Sequence, residues 1–311
     1  MAYLGEILSI GVALAWTVAS LWSETGSKRL GAQVMNTWRL GLSALVSLVV
    51  CLIFLGAPYP VYASGGTWLI LAVSGFIGFF LGDLCLLGSY VVMGARLGQL
   101  FMTLAPAFAA IFALFMLGQK LAWNSLLAMA VTMVGIGITV LGHGEKRLFS
   151  LQIPLKGALL GVGAALGQGL GLILSGIGLQ RYLADVPADI LPKIEIGVPF
   201  FANTIRCLTG FAASALMLAI TRPERSPWAL FHDRKSAVSL AIVVVTGPVI
   251  GVGLSLMALR YTAAGIASTL QSMTPILMLL PAHRMFGEKI TLRSVIGAVV
   301  SVAGVSLFFL L

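Results

Sequence analysis

The chain of 311 residues consists mostly of long apolar runs separated by short polar stretches. A helix needs about 20 successive apolar residues to cross roughly 30 Å of hydrocarbon. Strands of a membrane barrel would instead alternate apolar and polar residues over about ten positions, and these runs do not alternate. The pattern therefore predicts an all-α integral membrane protein with ten transmembrane helices, at 4–22, 34–55, 67–93, 97–117, 121–141, 157–179, 197–220, 237–259, 262–282 and 290–311.

A set of residues recurs in register, which indicates that the chain is an internal duplication. Asn36-Thr37-x-Arg39 returns 167 positions later as Asn203-Thr204-x-Arg206. Five further residues return at a spacing of 169 positions, namely Pro106, Gly118, Lys120, Ser125 and Gly135 as Pro275, Gly287, Lys289, Ser294 and Gly304.

The clearest polar break begins at His143 and separates the two halves. We predict a first repeat at 1–142, a linker at 143–155 and a second repeat at 156–311. Each half holds five predicted spans, and because five is odd the second half starts on the opposite membrane face. The spans should therefore form two inverted five-helix repeats, an arrangement common among secondary transporters.

Composition supports a membrane protein and argues against several other classes. Hydrophobic residues make up 59% and charged residues 9% of the chain, with a mean hydropathy of +1.05, whereas soluble domains carry about a quarter charged residues. The net charge of +9 is scattered over many loops, which favours contact with anionic membrane lipids and not with nucleic acid. No metal-ligand spacing, cofactor motif or catalytic motif is present, so we expect no metal, no cofactor and no enzyme activity.

Asp83 is the most informative single residue, because it lies well inside the third predicted span. A charged side chain at that depth costs about 2.5–3.5 kcal/mol on insertion scales. One interpretation is a carboxylate that couples transport to protons or senses substrate. The other is a structural pair with an arginine or a hydroxyl group. Its counterpart in the second half is Ser255, so the charge would be present on one side only.

Two arginines also lie inside predicted spans. Arg39 and Arg206 occupy the opening turns of the second and seventh spans, where they could bind an anionic group, pair with an acid or reach the headgroups by snorkelling. Asn36 and Asn203 precede them by three residues on the same helix face, and could cap these helices or bond to a neighbouring helix.

Three glutamines and two prolines complete the candidate set. Amides inside membrane spans find partners on other helices or on a ligand, which makes Gln99, Gln168 and Gln271 candidates for substrate contact. Pro106 and Pro275 lie in the middle of the fourth and ninth spans, where proline removes a helical hydrogen bond and bends the helix.

The repeated motifs resemble the drug/metabolite transporter superfamily, and within it the ten-span EamA family. The resemblance rests on the doubled Asn-Thr-x-Arg sequence, on Pro106 followed by Gly118-Gln119-Lys120, and on Pro275 followed by Gly287-Glu288-Lys289. It implies a central cavity lined mainly by spans 1, 3, 4, 6, 8 and 9, export of amino acids, metabolites or drugs, and cytoplasmic termini.

We therefore expect a secondary active transporter that exports a small, partly apolar metabolite by alternating access, with Asp83 as the candidate proton carrier. A non-transporting membrane scaffold or sensor is an alternative, and a lipid-modifying membrane enzyme is a weaker one because it lacks a catalytic constellation. The expected location is the cell membrane of a bacterium, with the choice between monomer and homodimer left open.

The loop charges and the family resemblance predict opposite orientations for the two termini. Loops after the odd-numbered spans carry 13 lysines and arginines and the other loops carry 4. The positive-inside rule then places both termini outside the cytoplasm, which is opposite to what the resemblance implies.

Overall fold

The structure is a computed structural model that describes residues 3–118, 123–144, 147–151, 153–195, 197–221, 226–251, 254–255, 258, 261, 270–271, 273–288 and 290–310. Three residues of the repeated register, Gln119, Lys120 and Lys289, lie outside these described residues, as do parts of predicted spans 8 and 9.

The described elements of the first half are all helical. Its elements are α1 (Leu4–Leu30), α2 (Ala32–Leu55), α3 (Gly65–Ser74), a π-helical segment π1 (Gly75–Gly82), α4 (Asp83–Met93), α5 (Ala95–Met102), α6 (Ala105–Leu117) and α7 (Trp123–Val140). Gly94 alone joins α4 to α5, with a φ of 86°. A side chain at Gly94 would be strained by this φ, and its Cβ would lie 2.5 Å from Glu288 Oε1.

The second half repeats this organisation. Its described elements are α8 (Leu155–Asp185), α9 (Leu191–Ile194), α10 (Val198–Ile220), α11 (Ala229–His232), α12 (Arg234–Val244), a second π-helical segment π2 (Val245–Gly251), α13 (Thr274–Leu277), α14 (Leu279–Phe286) and α15 (Leu292–Leu310).

The linker between the halves departs from the all-α expectation. Strand β1 (Leu141–Gly144) pairs antiparallel with β2 (Arg147–Leu151), and Leu141 faces Leu151 in the register. The two strands lie outside the helical spans, because α7 ends at Val140 and α8 begins at Leu155.

Six helical stretches of the described residues are long and apolar enough to cross a membrane, and they coincide with six of the ten predicted spans: Leu4–Leu30, Ala32–Leu55, Gly65–Met93, Ala95–Leu117, Leu155–Asp185 and Val198–Ile220. Shorter apolar helices, Leu127–Thr139 and Leu292–Leu307, occupy the predicted spans 5 and 10. The first helix runs to Leu30, eight residues beyond the predicted end at 22.

The last helices of the two halves, α7 and α15, pack side by side through repeated positions. Gly135 contacts Ser301, and Gly304 contacts Thr132, with the Cβ of a residue at 304 expected 2.5 Å from Thr132 N. Position 301 is 169 residues after 132, and position 304 is 169 residues after 135. Gly135 therefore contacts Ser301, the counterpart of Thr132, while Gly304, the counterpart of Gly135, contacts Thr132 itself. This exchange is what a two-fold relation between antiparallel helices produces.

Helices α2 and α10 also contact each other through repeated residues, the threonines of the doubled motif. Thr37 Oγ1 lies 2.6 Å from Ser214 Oγ, and Thr204 Oγ1 lies 3.3 Å from Cys51 Sγ. Thr37 and Thr204 are counterparts in the doubled Asn-Thr-x-Arg sequence, and each contacts a position near the far end of the other helix. The two helices therefore also run antiparallel.

Two apolar cores lie on either side of a polar layer. One core contains Val34 and Leu87 and the other contains Cys51 and Leu71. Each pair lies at one end of the same two helical stretches, α2 and Gly65–Met93, so residues between the two pairs, such as Asp83, lie between the two cores.

Candidate functional site

Four polar side chains from α2, α4 and α8 meet between the two apolar cores, and we call them the arginine–aspartate cluster: Asn36, Arg39, Asp83 and Gln168. Arg39 Nη2 forms an ion pair with Asp83 Oδ2 and donates a hydrogen bond of 2.9 Å to Asn36 Oδ1. Gln168 Nε2 donates to Asp83 Oδ1 at 2.7 Å. The Asp83 side chain is only 8% exposed, so both of its oxygens have partners inside the protein.

Glycines allow this cluster to form, because they bring the third and sixth spans into backbone contact. A Cβ at Gly167 would lie 2.8 Å from the Cα of Gly82, and one at Gly82 would lie 3.4 Å from Gln168 N. Gly82 directly precedes Asp83 and Gly167 directly precedes Gln168. The glycine pair therefore sets the distance at which the Gln168 amide reaches the carboxylate.

The π-helical segment contributes carbonyl oxygens to the same cluster. Asn36 Nδ2 donates to Phe79 O at 3.2 Å and to Phe80 O at 3.4 Å, both within π1. Short π-helical segments disturb the regular hydrogen-bond ladder and occur frequently at functional sites. The alternative that Asn36 and Asn203 cap their helices is wrong, since the N-caps are Gly31 and Gly197.

Arg206, the repeat counterpart of Arg39, has a different environment that we call the Arg206 site: Ser74, Phe79 and Arg206. Arg206 Nε donates to Ser74 Oγ at 3.1 Å, and the Cζ atom lies 4.0 Å from the centre of the Phe79 ring. Ser74 Oγ in turn donates to Gly171 O at 2.7 Å. Both arginines therefore converge on the third span, but among the described residues only Arg39 has an acid within 4 Å.

Neither arginine lies at a helix end. Arg39 is seven residues beyond the first residue of α2, and Arg206 is eight beyond the first residue of α10. At 1.5 Å per residue these side chains start roughly 10–12 Å inside their helices. The expectation that they occupy opening turns is wrong, and their contacts with the third span show that they point into the bundle.

The other predicted amides form separate contacts. Gln99 Nε2 donates to Tyr90 OH at 2.7 Å and to Ser20 Oγ at 2.9 Å. Gln271 Oε1 accepts from Ser255 Oγ at 3.3 Å. Asn203 Nδ2 contacts Cys207 Sγ, 3.6 Å away on its own helix. The structure thus brings Asn36, Arg39, Asp83 and Gln168 together and leaves Gln99, Gln271, Ser255 and Asn203 outside that cluster.

The two repeated prolines occupy equivalent positions in interrupted helices. Pro106 is the second residue of α6, which restarts after α5 ends at Met102, and Pro275 is the second residue of α13. A proline in the first turn leaves no hydrogen bond unmade, because that N–H has no partner within the helix. These restarts place the breaks of the fourth and ninth spans at repeated positions.

Glu24 is a buried carboxylate that sequence reasoning missed. Its side chain is fully buried, pairs with Lys28 and accepts a 2.6 Å hydrogen bond from the Ala95 N–H at the start of α5. The predicted first span ended at 22, which placed Glu24 in a loop. The Glu24–Lys28 spacing of one helical turn was the available signal that the helix continues.

Polar contacts tie helix ends together at both ends of the bundle. At one end Arg29 Nε and Nη2 reach Asp233 Oδ2 and Oδ1 at 2.5 and 2.9 Å, joining α1 to the start of α12. At the other end Asp185 Oδ2 accepts from Ser64 N at 2.9 Å, joining α8 to the start of α3. The first contact is an ion pair and the second is a hydrogen bond to a neutral group.

One of the comparisons with known proteins identifies a family. The sequence profile of the EamA-like transporter family matches residues 3–141 and 189–310. A solved structure described only as "Crystal structure of protein" is 14% identical, with a TM-score of 0.63 over 98% of this chain and 96% of that chain, so the two share a fold. A search of curated proteins finds no significant match.

Proposed function

Because the chain belongs to the EamA-like transporter family of membrane proteins, we propose that it is a secondary active transporter that exports a small, partly apolar metabolite across the cell membrane. The family assignment carries the general statement that it is a membrane transporter. The buried arginine–aspartate cluster supports the finer statement that a titratable carboxylate takes part in the transport cycle.

We further propose ten transmembrane helices in two inverted repeats. The reciprocal contacts of α7 with α15 and of α2 with α10 support this arrangement, since antiparallel counterparts in the two halves imply an axis in the membrane plane. Alternating access would then be a rocking of one set of helices against the other. The Arg29–Asp233 and Asp185–Ser64 contacts join different pairs of spans at opposite ends, so the two can open in turn.

Asp83 is the proposed coupling residue. In the described structure Arg39 forms an ion pair with one oxygen of its carboxylate, and Gln168 donates a hydrogen bond to the other. Protonation of Asp83 would remove the charge that holds Arg39 and would free α2 from α4. Binding of a proton would thus change the packing between spans 2 and 3. Coupling of transport to a proton gradient requires such a link between protonation and conformation.

The test is flux measured in proteoliposomes under an imposed pH gradient, with candidate substrates taken from the metabolites enriched in the medium of overexpressing cells. We expect Asp83→Asn to abolish gradient-driven accumulation while leaving expression intact. Asp189→Asn, which removes an exposed carboxylate, is the matched control and should behave as wild type. If Asp83→Asn still accumulates substrate with unchanged pH dependence, Asp83 is a structural residue and the coupling proposal fails.

A further inference from the structure

We propose that Arg206 binds the carboxylate group of the transported molecule, which makes the substrate a small organic monoanion. The inference rests on the proposed transport function, because it assigns a substrate class to the same polar layer. It is carried by three observations on the described residues: the charge balance of the layer, the unassigned donors of Arg206, and the groups that surround the guanidinium.

The described charged residues of the polar layer, Arg39, Asp83 and Arg206, have a net charge of one positive unit. Arg39 and Arg206 contribute two positive charges, and Asp83 is the one carboxylate of the described residues that lies among them. The Arg39–Asp83 pair is neutral, so Arg206 keeps a charge without an acid within 4 Å among the described residues. A bound monoanion would make the layer neutral, and a neutral layer is the cheapest to keep inside a membrane.

The donors of Arg206 are mostly unassigned. A guanidinium carries five N–H groups in a planar fork, and the described structure assigns one of them, at Nε, to Ser74 Oγ. Phe79 covers a face of the group, with its ring centre 4.0 Å from Cζ, and the described residues provide no hydrogen-bond partner for the Nη atoms. A carboxylate binds the edge of a guanidinium with two parallel hydrogen bonds.

The surroundings of Arg206 are suited to an approaching ligand. Gly78 lies beside the guanidinium, where a Cβ would come within 3.4 Å of Nη2. Arg206 itself is partly buried. Gln168 Nε2 contacts Gly78 O at 3.4 Å and also binds Asp83. The Arg206 site and the arginine–aspartate cluster are thus joined through Gly78 and Gln168, which places the anion next to the proposed proton carrier.

Binding is measured as the thermal shift of the purified protein in nanodiscs of phosphatidylcholine alone. The probes are acid and amide pairs: phenylacetate with phenylacetamide, and 4-methylpentanoate with its amide. At least one acid should raise the unfolding temperature in a saturable way, and its amide should bind at least tenfold more weakly, because the amide has no charge to pair with Arg206.

Variants assign the effect to the residue. Arg206→Gln should weaken the responding acid at least tenfold, Arg206→Lys should keep part of the affinity, and Arg293→Gln, which removes an exposed arginine charge, should leave it unchanged. Ser74→Ala should weaken binding by a smaller factor, because Ser74 orients the guanidinium and need not touch the ligand.

Several outcomes would overturn the proposal: equal shifts with acid and amide, an unchanged response in Arg206→Gln, or no response to any probe. Repeating the titration in discs that contain phosphatidylglycerol separates the two sources of anion. If the anionic lipid alone removes the acid response, Arg206 serves a lipid headgroup and the substrate assignment is wrong. Binding by Asp83→Asn protein separates this proposal from the coupling proposal, since a coupling failure leaves the Arg206-dependent response in place.

Discussion

The two Asn-Thr-x-Arg sequences show how a duplicated motif can keep one role and divide another. Thr37 and Thr204 are used alike, since each contacts the far part of the opposite helix. Arg39 and Arg206 are used differently. Arg39 pairs with Asp83, whereas Arg206 contacts the hydroxyl of Ser74 and the ring of Phe79.

The difference follows from the third span, not from the motif. The sequence comparison predicts Ser255 as the counterpart of Asp83 in the second half, and a strictly symmetric packing would then give Arg206 no acid. In the structure Arg206 instead reaches the third span, which therefore receives both arginines. The helix contacts between the two halves are thus similar, whereas the single acid Asp83 makes the polar layer asymmetric.

Removing either arginine should give the largest contrast between the halves. Arg39→Ala leaves a buried carboxylate without a cation, and breaking a buried pair in this way costs about 3–5 kcal/mol. Arg206→Ala removes a hydrogen bond and a ring contact without stranding an acid, so a loss of about 1–2 kcal/mol is expected. Unfolding by sodium dodecyl sulfate in mixed micelles measures both, and equal losses would contradict the asymmetry.

The glycines of α7 and α15 should show the opposite behaviour, because they lie where the repeats remain symmetric. Gly135→Leu and Gly304→Leu each push a side chain into the backbone of the opposing helix. We expect each to lower the unfolding free energy by about 1–3 kcal/mol, with similar values for the two. Gly176→Leu is the control, since a Cβ there meets nothing within 4 Å. Clearly unequal losses of unfolding free energy would show that the two glycine contacts are not equivalent.

The Arg29–Asp233 contact should give the smallest effect, because both side chains are partly exposed. Its hydrogen bond from Arg29 lowers the pKa of Asp233 below the ordinary value of 3.8. The ionised carboxylate therefore stabilises the folded protein above pH 3.8, and this stabilisation is lost as the pH falls further.

Asp233→Asn should accordingly lower the unfolding temperature slightly at pH 7, and the difference from wild type should shrink below pH 3.8. Thermal unfolding monitored across the pH range is the measurement, with Arg29→Gln expected to follow the same profile. A difference that stays constant down to pH 3 would show that the ion pair is not its source.

The sequence predicted the helical membrane class and the family, and it singled out Asp83 as a charged residue inside a span, because hydropathy and an isolated charge are visible in the sequence alone. It named Arg39 among the possible partners of Asp83, since the pair requires only a cation at a similar depth. It missed the Ser74 and Phe79 contacts of Arg206, because they depend on the π-helical conformation of π1, which no local sequence pattern predicts. Glu24 was missed for a simpler reason: its helix continues through polar residues.

The central claim is that Asp83 is bound to Arg39 and not to Arg206. A pair of double-mutant cycles tests it most directly, with unfolding free energies measured for Arg39→Ala, Arg206→Ala, Asp83→Ala and the two double variants with Asp83→Ala. We predict a coupling energy of about 2 kcal/mol or more for Arg39 with Asp83 and a clearly smaller value for Arg206 with Asp83. Equal coupling of both arginines to Asp83, or a larger value for Arg206, would contradict the account.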